Sequence, residues 1–167
     1  MFLPIEFVCD PADQLRRHAV APALLEIEIT ESAMMLDVNR ALIIVRAIHD
    51  MGVYLSVDDY GTGFPSLRYL RDLSIDALKL DRSFVSDLET NADSRIIVQS
   101  TLALARALQL SVVADGVSTA WQAEFLRSHG CDVGQGYYYA KALKGTACAD
   151  WLKCRNRPVR ALLISTA

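Results

Sequence analysis

Two carboxylates stand side by side at Asp58 and Asp59, directly after an apolar run and directly before the closely spaced Gly61 and Gly63. Neighbouring negative charges repel, so a pair held at the end of a buried segment calls for a counter-ion. Carboxylate oxygens favour Mg²⁺ or Mn²⁺ over zinc. The pair therefore indicates a divalent-metal site, while a plain turn remains open as the alternative on spacing alone.

Polar side chains also end the other strand-like segments of the chain. They are Glu28, Lys79, Asp81, Asp115 and Gln135. If these strands are parallel, their carboxyl ends meet at one edge, where the chemistry of barrels and open parallel sheets takes place. Glu28, Asp58 and Asp59 could then hold two metal ions that activate a water and stabilise an in-line phosphoryl displacement. Lys79 suits a phosphate oxygen or a bound hydroxide, with a structural salt bridge as the alternative.

The elements that must position these residues alternate between strand and helix patterns. Strands are predicted at 24–31, 53–61, 76–82, 110–117 and 131–139, with a sixth near 3–8. Helices are predicted at 37–52, 64–73, 92–110, 118–130 and 144–157. Asp37 and a Ser or Thr at 118–119 are the expected N-caps, and the run Tyr137–Tyr139 is interpreted as strand packing rather than a stacking platform.

The fold predicted from this alternation is α/β, with βαβ units and a mostly parallel sheet. A complete eight-stranded barrel takes about 250 residues, so a chain of 167 residues is short for one. An incomplete barrel is therefore the expected architecture.

Composition narrows the function classes. The chain is 52% hydrophobic with a net charge of −3, which predicts a folded domain and disfavours non-specific DNA binding. No basic segment precedes an apolar run at the start, and no apolar run reaches about 18 residues, so no membrane span is expected. The four cysteines form no C-x-x-C pattern, and reduced thiols in a cytoplasmic protein are the expectation. The three histidines lie on helix patterns and are expected to be surface or core residues.

Taken together, the motifs resemble those of the EAL family of cyclic di-GMP phosphodiesterases. The similar segments, in order, are LEIEITES (25–32), DDYGTGFPSL (58–67), LKLDRSFV (78–85), VVADGVST (112–119) and GQGYYYAKAL (134–143). The resemblance implies a TIM-like barrel that binds two Mg²⁺ or Mn²⁺ ions. It also implies hydrolysis of one phosphodiester of cyclic di-GMP, which gives the linear dinucleotide pGpG.

The resemblance also assigns roles to individual residues. The implied metal ligands are Glu28, Asp58 and Asp59; the implied catalytic residues are Lys79, Asp115 and Asp59. Substrate binding is assigned to Gln135, Asp81 and Gly136, and stabilisation of the loop that begins at Asp58 to Glu31 and Thr30. The region 60–73 is implied as a homodimer contact.

The sequence departs from the family pattern in ways that predict weak activity. No E-A-L tripeptide occurs, and the family's first strand–helix unit with its Glu ligand is absent. The family's Asn ligand is also missing, because no Asn occurs before Asn39. Asp115 and Ser118 replace two glutamates, and a displacement of about 1 Å in a catalytic group can cost on the order of 100-fold in rate. We therefore expect residues 1–157 to form a truncated, partly degenerate EAL-type domain with a tail at 158–167. Its hydrolysis is expected to be weak or absent, and the alternative is a non-catalytic module that binds cyclic di-GMP or a protein.

Overall fold

The computed structural model describes residues 6–61 and 67–155 of the chain. The strands are β1 (Glu26–Thr30), β2 (Tyr54–Tyr60), β3 (Ala77–Leu80), β4 (Ser111–Ala114) and β5 (Val133–Gly134). The helices are α1 (Glu6–Arg17), α2 (Glu31–Met35), α3 (Val38–Asp50), α4 (Leu67–Asp72), α5 (Arg82–Ser86), α6 (Ala92–Ala107), α7 (Ala120–Ser128) and α8 (Gly145–Arg155). A single 3₁₀ turn at Pro22–Leu24 leads into β1.

The five strands form one parallel sheet in the order β1-β2-β3-β4-β5. Every neighbour in the sheet is also the next strand in sequence, which is the strand order of a (β/α) barrel. Within the described residues, β1 and β5 are the two edges of the sheet. The predicted α/β class with mostly parallel strands is confirmed, and the architecture is that of an incomplete TIM-like barrel.

The hydrophobic core lies between the sheet and its helices. Alternate strand residues such as Leu55, Val57 and Leu78 are at most 1% exposed, and they pack with Ile48 of α3 and Val98 of α6 in one cluster. Because strand side chains alternate between the two faces, the residues between them point to the opposite side of the sheet. That second side carries the polar groups described below.

The helix caps follow the sequence signals. Asp37 accepts a hydrogen bond from the Arg40 N–H at 3.1 Å and caps α3. Thr119 begins α7 with a capping box, in which its hydroxyl and the Gln122 side chain each satisfy a backbone N–H of the other's residue. Both predicted caps are confirmed.

The sixth strand predicted near residues 3–8 is wrong where the structure describes it. Residues 6–8 lie in α1, because Val8, Ala12 and Leu15 recur at helical rather than strand spacing, and Leu15 is 8% exposed in the core. Residues 3–5 lie outside the described part of the chain, as do residues 62–66 at the start of the predicted helix 64–73 and the tail 158–167.

The strand predicted at 131–139 is also wrong over most of its length. Only Val133 and Gly134 pair with β4, and Tyr137–Tyr139 form a turn. Gly136 has a φ of 149°, which ends the extended backbone. Tyr137 is 71% exposed, so the interpretation of the tyrosine run as strand packing does not hold. Among the described helices, none is long and apolar enough to cross a membrane.

Candidate active site

Three adjacent strands bring Glu28, Asp58 and Lys79 to one point on the polar side of the sheet. Glu28 of β1 lies opposite Ser56 of β2, two residues before Asp58, and β3 continues the same parallel register. The Lys79 ammonium donates to Glu28 Oε2 at 2.7 Å and lies 3.1 Å from Asp58 Oδ1. Groups that are 21 to 51 residues apart in sequence therefore meet at one point.

Lys79 is buried and stays charged. Its side chain is 5% exposed, against 23% for Glu28 and 27% for Asp58. Burial by itself lowers the pKa of the ammonium, but the hydrogen bond to Glu28 and the charge of Asp58 outweigh burial, so the pKa of Lys79 is raised. Lys79 is therefore a permanent positive charge at neutral pH.

Asp59 faces a different partner from its neighbour Asp58. The β2–β3 register shifts between Val57 and Tyr60, and Asp59 has a left-handed φ of 55°, as a bulge residue often does. Burial raises the pKa of Asp59, and the charges of Asp58 and Asp81 raise it further. The pKa of Asp81 is lowered, chiefly by the Ser83 hydroxyl, and its interaction with the Asp59 side chain lowers it further. The two carboxyls thus form a second acidic pair beside the first.

Asp81 has a structural contact as well. Its Oδ1 accepts from the Ser83 N–H at 2.8 Å and caps the short helix α5. A side chain held in this way has a fixed orientation at the end of β3.

Glu31 fastens the end of β1 to the loop that follows β2. The Glu31 side chain is buried at 2% exposure, and its Oε2 accepts from the Gly61 N–H at 3.1 Å. Thr30, one residue earlier, accepts from the Ala33 N–H and caps α2, which begins at Glu31. Glu31 therefore contacts the loop that resemblance assigns to it, whereas the Thr30 hydroxyl contacts its own helix. The functional role of both residues stays a prediction.

Asp115, Gln135 and Gly136 end the next two strands. The Asp115 carboxylate accepts from the Gly116 N–H of its own loop at 2.8 Å. The Gln135 backbone joins the two loops, because its carbonyl accepts from Val117 N–H and its N–H donates to Ala114, both at 2.9 Å. In the described part of the chain, the ion pairs of Lys79 are with Glu28 and Asp58. The structure thus places Asp115 and Gln135 at the same edge of the sheet but outside this ion-paired group.

Glu26 is a site residue that the sequence reasoning missed. It lies two residues before Glu28 on β1 and therefore on the same side of the sheet. Burial raises the pKa of Glu26; the nearby Ser56 hydroxyl opposes this shift and the charge of Glu28 adds to it. The available signal was the alternation of Glu26 and Glu28 with Ile27 and Ile29 in the strand pattern.

The carboxylates of the site are potential ligands for a divalent metal ion. Across the residues that the structure describes, no three His, Cys, Asp or Glu side chains come together as a metal cluster. Glu28 and Asp58 nevertheless direct one oxygen each at a common point, and Mg²⁺ commonly binds through one or two carboxylates with waters in the remaining positions. The donor set therefore fits one hydrated Mg²⁺ or Mn²⁺, provided that Lys79 moves away from these oxygens.

A sequentially ordered parallel sheet with charged groups gathered at the carboxyl ends of its strands defines a (β/α)-barrel type of protein. The chain belongs to the EAL domain family, whose sequence pattern matches residues 6–142.

Similar proteins are known at moderate identity. The chain is 40% identical to the cyclic di-GMP phosphodiesterase NbdA of Pseudomonas aeruginosa over 139 residues, which are 83% of this chain and 18% of NbdA. It is 39% identical to the PaMucR phosphodiesterase solved in complex with cyclic di-GMP, with a TM-score of 0.80 over 82% of this chain and 56% of that one. It is 28% identical to Klebsiella pneumoniae BlrP1 in a manganese and cyclic di-GMP complex, with a TM-score of 0.74 over 80% of this chain and 34% of that one. The chain thus spans less than a fifth of the length of NbdA.

Proposed function

We propose that this chain is an EAL-type domain that binds cyclic di-GMP and hydrolyses it weakly or not at all. The observation that carries the proposal is the convergence of Glu28, Asp58 and Lys79 on one side of the sheet. The similarity of the chain to proteins named as cyclic di-GMP phosphodiesterases supports the choice of ligand. Two carboxylates that can hold a divalent cation, with a buried ammonium beside them, suit a phosphodiester whose negative charge must be matched by cations.

Each site residue has a proposed role that its position allows. Glu28 and Asp58 would hold a Mg²⁺ or Mn²⁺ ion, and the Asp59–Asp81 pair lies where Asp59 could hold a second one. When bound, the metal would polarise a phosphoryl oxygen and acidify a water. Lys79, once it is free of the carboxylates, is placed to hold a phosphate oxygen.

The remaining roles concern the neighbouring strand ends. Asp115 would orient the attacking water, and its carboxylate is at present held by the Gly116 N–H. Gln135 and Gly136, with Asp81, would contact the nucleotide. Glu31 would fix the loop that begins at Asp58 through the hydrogen bond to the Gly61 N–H, and Thr30 would assist by capping α2, the helix on which Glu31 lies.

Weak turnover is proposed because Asp115 is one methylene shorter than the family's glutamate and because Lys79 is bound to both carboxylates. These same features favour the second candidate, a module that binds cyclic di-GMP or a protein partner without hydrolysis. A homodimer through residues 60–73 and a cytoplasmic location are further proposals. The free Cys131 and Cys148 are compatible with a reducing compartment.

Two measurements on the purified chain test the proposal. With cyclic di-GMP and Mn²⁺, we expect pGpG to form at a rate well below about 1 s⁻¹. Chromatography of the nucleotides measures this rate. Calorimetric titration with cyclic di-GMP should show binding that the Asp58→Asn variant weakens and the Lys153→Gln variant, changed at an exposed ion pair on α8, leaves unchanged. Absence of binding to the wild-type chain refutes the proposed ligand, and turnover at an ordinary enzymatic rate refutes the proposed weak activity.

A further inference from the structure

The Lys79 ammonium lies where a divalent ion shared by Glu28 and Asp58 would have to lie. Glu28 Oε2 and Asp58 Oδ1 are both in contact with Nζ, at 2.7 and 3.1 Å. A metal ion bound by the same two oxygens would place a double positive charge within a few ångströms of a single one in a poorly solvated site, which is strongly unfavourable. The ammonium and the metal ion are therefore alternative occupants of one position.

Another carboxylate lies on the same face of β1 as Glu28. Glu26 shares the face of β1 with Glu28, and its charge interacts with those of Lys79 and Glu28. Within the described part of the chain, Glu26 Oε1 is buried and has no hydrogen-bond partner. A buried acceptor without a donor is costly, and an ammonium that moved toward it would relieve that cost.

We propose that Lys79 is the resident counter-cation of the Glu28–Asp58 pair, that a divalent metal ion binds by displacing it, and that Glu26 receives the displaced ammonium as long as no phosphate is bound. The proposal rests on the metal site of the proposed function and adds a competition to it. The affinity of the site for metal is then set by how readily Lys79 leaves, and Glu26 is a positioning residue that assists this step. Without a metal ion, the ammonium offsets part of the negative charge of the Glu28–Asp58 pair.

The test is Mn²⁺ binding without nucleotide, measured by the electron paramagnetic resonance signal of free Mn²⁺. Lys79→Gln should bind Mn²⁺ about tenfold more tightly than the wild-type chain, because a charge-assisted hydrogen bond no longer competes. Lys153→Gln removes one positive charge at an exposed position of α8 and is the matched control, for which no change is expected. Unchanged or weaker binding by Lys79→Gln overturns the proposal.

A double-mutant cycle tests the part played by Glu26. Glu26→Gln alone should weaken Mn²⁺ binding several-fold, since Lys79 loses its second acceptor. In the Lys79→Gln background the same change should have a much smaller effect, limited to the loss of a nearby negative charge. Equal effects in the two backgrounds show that Glu26 acts by its charge alone and overturn its assignment as acceptor.

A measurement on the unaltered protein covers the case in which Lys79→Gln does not fold. The side-chain NMR resonance of Lys79 should shift on titration with Mg²⁺ and saturate with the same dissociation constant as metal binding. A Lys79 resonance that stays in place while the metal binds overturns the proposal. A chain that binds cyclic di-GMP in calorimetry but no metal in any variant also overturns it, yet leaves the nucleotide-binding function standing.

Discussion

Gly136→Ala should be among the most damaging single-methyl substitutions in the chain. Gly136 has a φ of 149°, and a Cβ atom added there would lie 2.2 Å from the carbonyl oxygen and 2.4 Å from the nitrogen of Val117. These are backbone atoms, so no side-chain rotation relieves the overlap. One of the two loops must move.

The cost follows from what holds the two loops together. Val117 N–H donates to the Gln135 carbonyl at 2.9 Å, and Tyr138 N–H donates to the Val117 carbonyl at 3.0 Å. Losing both hydrogen bonds costs about 2 kcal/mol, and an alanine at this φ adds about 1 to 3 kcal/mol. We expect Gly136→Ala to lower the free energy of unfolding by about 3 to 5 kcal/mol.

Two other glycines provide controls for the urea unfolding measurement. Gly52→Ala tests positive φ without a clash, because its φ is 81° and the nearest atom to an added Cβ is 3.8 Å away; it should cost about 1 kcal/mol. Gly145→Ala at the start of α8 meets no atom within 4 Å and should change stability by less than about 0.5 kcal/mol. A loss for Gly136→Ala no larger than that for Gly52→Ala would refute the role given to the contact with Val117.

Two further predictions concern buried ionisable groups. Glu31→Ala should lower the free energy of unfolding by about 2 to 4 kcal/mol, because it removes a charge-assisted hydrogen bond from the Gly61 N–H and leaves a cavity. The control Glu124→Ala, at an exposed ion pair, should lower it by less than about 0.5 kcal/mol in the same assay. Similar losses for both variants would contradict the contribution of the buried contact. Burial raises the pKa of Cys131 from 9.0 to about 11, so the folded protein holds this proton more tightly than the unfolded chain. The contribution of Cys131 to the free energy of unfolding is constant below pH 9 and decreases by about 1.4 kcal/mol for each pH unit from there to about 11. Urea unfolding of the wild type and Cys131→Ala at several pH values should therefore show a pH-dependent difference in stability. A difference that does not change with pH would contradict the raised pKa.

The order and type of the main elements were predictable because apolar periodicity is strong in them. β2 and α3 follow their patterns closely, and the caps at Asp37 and Thr119 were visible as Asp and Thr before apolar runs. The convergence of Glu28 with Asp58 was also expected, since parallel strands align their carboxyl ends. In these elements the local residue pattern agrees with the overall fold, and such agreement is what allows structure to be predicted from sequence.

The short helices α2 and α5 were not predicted from the sequence. Each has only five residues, too few for a periodic pattern, and each begins at a capping side chain, Thr30 or Asp81. Those two residues were considered only as site residues, so their capping role was overlooked. The strand that was expected to extend to Tyr139 failed for a similar reason, because nothing in its apolar pattern showed that Gly136 passes against the Val117 backbone.

The sequence could not decide between two roles of Lys79, a salt bridge to the carboxylates and a phosphate ligand. Spacing placed Lys79 on the polar side of β3 and left open a phosphate ligand or a salt bridge. Distances of 2.7 and 3.1 Å establish the ion pairs of Lys79 with Glu28 and Asp58. The role at a phosphate stays a proposal, and it requires the ammonium to leave these two carboxylates.

The two faces of the sheet divide stability from chemistry. Leu55, Val57 and Leu78 of β2 and β3 are buried on the helix-facing side. Asp58 and Lys79 of the same two strands, and Glu28 of β1, face the other way. The strands are therefore held by contacts that the site does not share, and the site can carry like charges close together at little cost to the core. What those charges require is a cation, and β3 supplies one from within the chain. If a metal ion competes with Lys79 as proposed, the balance between that internal cation and the metal ion, rather than the integrity of the fold, would govern how the site binds a phosphodiester.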